Sequence, residues 1–233
     1  MNSNIPNLPL PRSHLVRHSM WPLLAGLEKI GFISWREQPT RLKSGIMSNV
    51  YVAGRNDLTE HPEQLRAVGK LVAQVVREIS DKSSGRVPLL IGIPTAGTAM
   101  TVAASLNVEY GGFPHRIMRE KKKKHGANLT WVDGEVSPNA HEYMTLDNDV
   151  TDGGSKLEMR DRLREDGYPV DGMKNIVLVD RQQGARKRLA KEGVDLTAIF
   201  NLLDVVWAFG ELGIWKPDRV MAVEYEIAEH QIA

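Results

Sequence analysis

Apolar residues along this chain follow two rhythms. Between Pro62 and Ile79 they recur at Leu65, Val68, Leu71, Val72, Val75, Val76 and Ile79, the spacing of one helix face, with Pro62 tolerable in the first turn. Elsewhere they form short unbroken runs closed by glycine or small polar residues. "VPLLIGIP" (87–94) reads as a buried strand, followed by the small-residue turn "TAGT" and a helix to about Leu106. "HRIM" (115–118) and "HEYMTL" (141–146) are further strand candidates. "NIVLVD" (175–180) is the strongest, continuous and apolar, and a helix around "ARKRLAKEG" follows it. "LTAIFNLL" (196–203) and the segment to Leu212 repeat the pattern. Upstream, residues 14–30 read as one helix ended near Gly31, with Pro22 marking a break or a start. "RLKSGIMSNVYV" (41–52) reads as two extended pieces around Gly45, and residues 1–13, rich in Pro and Asn, as irregular.

Alternating apolar strands and helices predict an α/β fold, a parallel sheet covered by helices on both faces. No internal repeat or long linker divides the 233 residues, so one domain over 1–233 is expected. Composition narrows the function classes. A formal net charge of +1 gives no overall drive towards nucleic acid or anionic membrane. No apolar run approaches the ~18 residues of a membrane span, and the first twenty residues lack a signal-type apolar core. With no cysteine there is no thiolate nucleophile, disulfide or Cys-ligated metal. The seven histidines are scattered, which argues against a zinc centre. A cytoplasmic location is the default expectation.

The chemistry concentrates in "YMTLDNDVTDGGSKLE" (143–158). Here an apolar run ends in acids and an amide, then Thr, two glycines, Ser and a helix-like segment. In a parallel α/β sheet, ligands bind beyond the carboxyl ends of the strands. Glycines allow a tight turn, and amides opening the next helix point at an anion. "TDGGS" therefore reads as a phosphate cradle or, equally on these residues alone, as a strand-to-helix turn capped by Asp and Ser. Carboxylates just upstream suit ribose hydroxyls or a metal-bound sugar phosphate.

Strand, acidic pair and Thr-x-Gly-Gly-Ser together resemble the phosphoribosyl pyrophosphate (PRPP) motif of type I phosphoribosyltransferases. Three further segments narrow the resemblance to orotate phosphoribosyltransferase over roughly residues 22–212. "LKSG" (42–45) is similar to the N-terminal substrate segment, "GIPTAG" (92–97) to the pyrophosphate loop, and "VDRQQG" (179–184) to the segment whose Arg holds the orotate carboxylate. The resemblance implies a small N-terminal hood, mainly within residues 1–50. It also implies PRPP contacts from Lys43, Thr95, Ala96, Gly97, Arg119, Asn148, Asp149, Thr151, Asp152, Gly153, Gly154 and Ser155, and orotate contacts from Lys43 and Arg181. Lys123, His125 and Asp147 would be catalytic. Mg²⁺ would be held mainly by PRPP oxygens, with water and Asp147 completing its shell. The polar stretch "REKKKKHGANLTWVDGE" (119–135) resembles the family's mobile loop, which closes over the site and reaches into the partner of a homodimer. Without the resemblance, its four consecutive lysines read as a solvated loop or a nucleic-acid patch. Its charge, with Gly126 and Gly134 as hinges, leaves little apolar surface to pin it.

The match has departures. One aligned acidic pair is Asp147–Asn148, with Asp149 at an apolar position; the other is Asn148–Asp149. Asp152 stands where the family has Thr, Ser or Ala. Thr95–Ala96 replaces a common Tyr–Lys pair, and Glu120 a common Lys. These changes weaken the PRPP half of the site and keep open a rival reading, a binding or regulatory protein that retains the fold without turnover.

Overall fold

The continuous apolar runs become the strands of a five-stranded sheet in which every neighbouring pair is parallel, in the order His115–Ile117, Val87–Gly92, His141–Val150, Lys174–Asp180 and Asp195–Asn201. The computed structural model describes residues 10, 11, 13, 16–53, 58–121, 131 and 136–231. The chain enters through α1 (Trp21–Lys29) and an antiparallel hairpin of β1 (Ile33–Arg41) and β2 (Met47–Val52). Then follow α2 (Pro62–Ile79), β3 (Val87–Gly92), α3 (Ala96–Ser105), β4 (His115–Ile117) and β5 (His141–Val150). The last third contains α4 (Gly154–Glu165), β6 (Lys174–Asp180), α5 (Ala185–Lys191), β7 (Asp195–Asn201), α6 (Leu202–Glu211) and α7 (Pro217–Gln231).

The strands read as unbroken apolar runs because both sheet faces are covered. Leu90, Met144, Ile176, Leu178 and Phe200 turn to one face, into a core shared with α1, α2, α3, α6 and α7. Leu89, Ile91 and Tyr143 turn to the other and meet Leu163 of α4. Val177 packs there against Leu189 of α5, beside Leu157 of α4. The expected α/β class, the parallel sheet and the small N-terminal hairpin are all present.

Several boundaries differ from the sequence reading. The first helix starts at Trp21, with Pro22 in its first turn, after a short 3-10 turn over His18–Met20. Leu202 and Leu203 open α6 rather than extending the strand. Strand β5 runs past the apolar stretch to Val150, because Asp147 and Asp149 stay in register with Val177 and Val179 of β6. Along the strand Asp147 and Asp149 therefore share one side of the sheet and Asn148 takes the other, instead of all three lying in the following loop. The helix α7 was not anticipated. Its buried Val223 and Ile227 close the larger core beside the hairpin.

Candidate active site

Four stretches distant in sequence meet beyond the carboxyl ends of β3, β5 and β6. They are the hairpin connection 40–44, the β3–α3 turn 93–96, the β5–α4 turn 147–155 and Arg181 after β6, and they line one cleft of ≈ 930 Å³. Two glycines make this meeting possible. At Gly97 an added Cβ would lie 2.2 Å from the Leu146 carbonyl oxygen, so only glycine lets α3 begin against β5. Gly153 has φ +84°, the left-handed conformation that turns the chain from β5 into α4.

Around that turn, Thr151, Asp152, Gly154 and Ser155 line the cleft, with Gly153 forming the turn itself. The amide donors of a helix start favour an anion, and here a side chain already supplies one. Asp152 Oδ1 accepts from the Gly154 amide at 3.2 Å, and its Oδ2 accepts from Arg188 Nη1 at 2.5 Å. Both side chains are about half exposed, so the pair is solvent-screened and readily parted. Of the turn capped by Asp and Ser, the Asp contact is present in the hydrogen bond from the Gly154 amide.

Upstream, alternation along β5 divides the acidic motif. Asp147 and Asp149 share one side. Asn148 faces the other, where its Nδ2 donates to the Val52 and Ala53 carbonyls, each at 3.3 Å. Lys156, in the first turn of α4 and 1% exposed at its side chain, sits beneath the two acids. Its Nζ donates to Asp147 Oδ2 at 2.5 Å and to the Asp149 carbonyl at 2.8 Å. The other Asp147 oxygen accepts from the Asn148 amide at 2.9 Å. Burial raises the Asp149 pKa above the ordinary carboxylate value and the Asp147 charge adds to this, whereas Arg181 and Lys156 oppose it.

Arg181 is fully buried although it borders the cleft. Its Nη2 donates to Ser48 Oγ at 2.7 Å and to the Val50 carbonyl at 3.1 Å, and Nε to Gln183 Oε1 at 3.3 Å. Nη1 has no hydrogen-bond partner among the described residues. Asp149 Oδ2 lies 3.8 Å from Nη1, and Glu226 of α7 lies 3.7 Å from Nη2. Asp180 precedes Arg181 and is also held above the ordinary carboxylate value, by burial, with the Gln182 amide and Arg186 opposing.

The remaining candidates are spread around the rim. Lys43 reaches across to Glu158 of α4 at 2.7 Å, both exposed. Thr95 and Ala96 line the cleft at the start of α3. Arg119 does not line the cleft; its carbonyl accepts from Arg162 Nη2 at 2.8 Å, while the neighbouring Glu120 does line it. Lys123 and His125 lie outside the described residues. Trp131 supplies an apolar anchor in a loop expected to have little apolar surface to pin it. It is 9% exposed, pairs with Met118 and packs on Tyr168 at 4.7 Å in the second core.

Sequence reading missed Lys156, Arg188, Arg162 and Glu226. Lys156 and Arg188 carry a signal only in retrospect: each stands near the start of a helix that follows a cleft-lining turn. Among the described residues no group of three or more His, Asp or Glu side chains forms a metal cage. The cleft offers oxygen donors from Asp147, Asp149, Thr151 and Ser155. Such donors fit a hard cation that takes most of its ligands from a substrate. No described helix is long and apolar enough to cross a membrane.

No family model matches the chain. It is 29% identical over 207 residues to orotate phosphoribosyltransferase of Nostoc sp., covering 85% of this chain and 96% of that relative. It is 32% identical over 172 residues to orotate phosphoribosyltransferase of Pyrococcus abyssi, covering 72% and 86%. Among solved structures, Leishmania donovani UMP synthase superposes with a TM-score of 0.75 at 23% identity. That match covers 91% of this chain and 42% of the synthase, and at this identity it speaks for the fold alone.

Proposed function

The chain belongs to the orotate phosphoribosyltransferase family, and we propose that its cleft transfers ribose 5-phosphate from PRPP to orotate, giving orotidine 5′-phosphate and pyrophosphate in pyrimidine nucleotide biosynthesis. One observation carries this reading. The hairpin connection, the β3–α3 turn, the β5–α4 turn and Arg181, drawn from four parts of the sequence, line a single cleft.

The roles follow from the chemistry of each part. The 5′-phosphate takes the Gly153–Gly154 turn with the Thr151 and Ser155 hydroxyls, displacing Asp152 from the Gly154 amide. Asn148, Asp147 and Asp149 stand beside the ribose, and Thr95, Ala96 and Gly97 beside the pyrophosphate. Lys43 bridges both substrates once it leaves Glu158. The orotate carboxylate takes the free Nη1 of Arg181, a charge-assisted contact. Displacement at ribose C1 builds negative charge on the leaving pyrophosphate. Arg119 and Lys123 are the cations assigned to that charge, and His125 is the donor. Mg²⁺ would be held mainly by PRPP oxygens, with Asp147 as the protein oxygen that could complete its shell, and would neutralise charge on PRPP. A homodimer sharing the 119–135 loop and a cytoplasmic location complete the proposal. Light scattering at micromolar concentration tests the dimer, and a strict monomer with full activity would contradict it.

Arg181→Ala tests the central assignment. A lost hydrogen bond to a charged group is worth about 1.5–3 kcal/mol, so the orotate requirement should rise by roughly 10- to 150-fold, with the PRPP requirement nearly unchanged. Equal changes in both, in a variant that remains folded, would remove Arg181 from the base subsite.

A further inference from the structure

The surroundings of Arg181 point to a determinant of base affinity that the reaction itself does not require. We propose that Asp149 is an internal counter-ion of the base subsite, occupying the edge of Arg181 that an anionic base must take, and so sets how tightly that base is held. The inference rests on the assignment of the base to Arg181.

The two carboxylates near the guanidinium are held very differently. Glu226 is a fixed part of the cage: Oε1 accepts from Gln183 Nε2 at 2.6 Å and Oε2 from Ser48 Oγ at 3.0 Å. Asp149 is tied only through its backbone, whose carbonyl accepts from Lys156. Its carboxylate accepts no hydrogen bond among the described residues. It stands 3.8 Å from Nη1, beyond hydrogen-bond length but within strong Coulombic range. Nη1 is meanwhile a buried donor without an acceptor, the kind of group a ligand satisfies.

Exposure shows which member of the pair the cleft meets first. The Asp149 side chain is 24% exposed and that of Arg181 is 0%. An arriving carboxylate meets Asp149 before it meets Arg181. It must turn that side chain aside to reach Nη1, and it then lies close to a like charge. Because Asp149 has no side-chain hydrogen bond to break, turning it aside loses only its attraction to the neighbouring cations, Arg181 first and Lys156 second. The effect is a lowered affinity for anionic bases.

The test is a gain of affinity, which a purely structural role would not produce. Orotate binding to the full-length protein is measured by calorimetry for the parent, Asp149→Asn and Asp149→Val, well above the ordinary carboxylate pKa range. The Asn variant keeps shape and removes charge; the Val variant removes the polar group entirely. We expect orotate to bind about tenfold tighter or better in both, the step that a tenfold constant represents, and Asp149→Glu to bind it no tighter than the parent. Unchanged or weaker orotate binding in both folded variants would overturn the counter-ion role while leaving the reaction intact. Absence of orotate binding in parent and variants alike would instead overturn the base assignment itself, and this inference with it.

Discussion

Replacing Lys156 by Met tests the buried charge arrangement beneath the cleft. Met keeps an unbranched stem of similar length and removes the ammonium group. Two hydrogen bonds go with it, to Asp147 Oδ2 and to the Asp149 carbonyl. What remains is the larger effect, because the Asp147 side chain, 12% exposed, would hold its charge with only the Asn148 amide as donor. Breaking one partner of a buried pair costs about 3–5 kcal/mol. For a chain of this length each kcal/mol moves the midpoint by about 2–4 °C, so Lys156→Met should melt about 6–20 °C below the parent. Urea unfolding of the parent, the single variants Lys156→Met and Asp147→Asn, and the double variant closes a thermodynamic cycle. The double variant should be less destabilised than the sum of the singles by about 0.5–3 kcal/mol, because the orphaned charge is gone. If Lys156→Met unfolds within about 1 kcal/mol of the parent, or the singles simply add, the pair does not carry the stability assigned to it.

Two further predictions probe the scaffold. Gly97→Ala would bring a Cβ 2.2 Å from the Leu146 carbonyl oxygen, and the backbone shift should cost about 1–3 kcal/mol in urea unfolding. Gly26→Ala, where the added Cβ meets Gln64 at 3.5 Å, should be neutral or stabilising by up to about 1 kcal/mol; equal effects at the two sites would refute the close-approach argument. Tyr168 is 4% exposed, and burial raises its phenol pKa to about 12, with Arg116 pulling the other way. Because the folded state holds this proton more tightly than the unfolded chain, the stabilisation is full below about pH 10 and is lost as pH rises through about 12. Alkaline difference absorbance should show one late-titrating phenol that Tyr168→Phe removes; an unchanged titration would refute it.

The parts of the fold legible in sequence were those with an unmistakable period. Strand β6 and helix α2 carry continuous or helical apolar patterns, and both stand where the pattern put them. Helix α7 was missed because Val223 and Ile227 are diluted among charged residues. Only packing against the larger core reveals its buried face. The end of β5 was misplaced for a related reason. Asp147 and Asp149 look like loop residues by type, yet the ladder to β6 keeps them in a strand. In the site, the cleft-lining turns were found through motif spacing. Lys156 was not, since a lysine in a helix reads as solvated until the β5–α4 turn folds it beneath two acids. Trp131 gave no periodic signal inside a polar stretch, and its anchoring on Tyr168 exists only in three dimensions.

The central claim is that the one cleft built by residues 40–44, 93–96, 147–155 and Arg181 performs orotate phosphoribosylation. Mixing the purified protein with orotate, PRPP and Mg²⁺ and following the loss of orotate absorbance tests it most directly. A loss that requires all three components and is matched by released pyrophosphate is the expected result. Folded protein that leaves orotate absorbance unchanged at saturating PRPP and Mg²⁺ would contradict it.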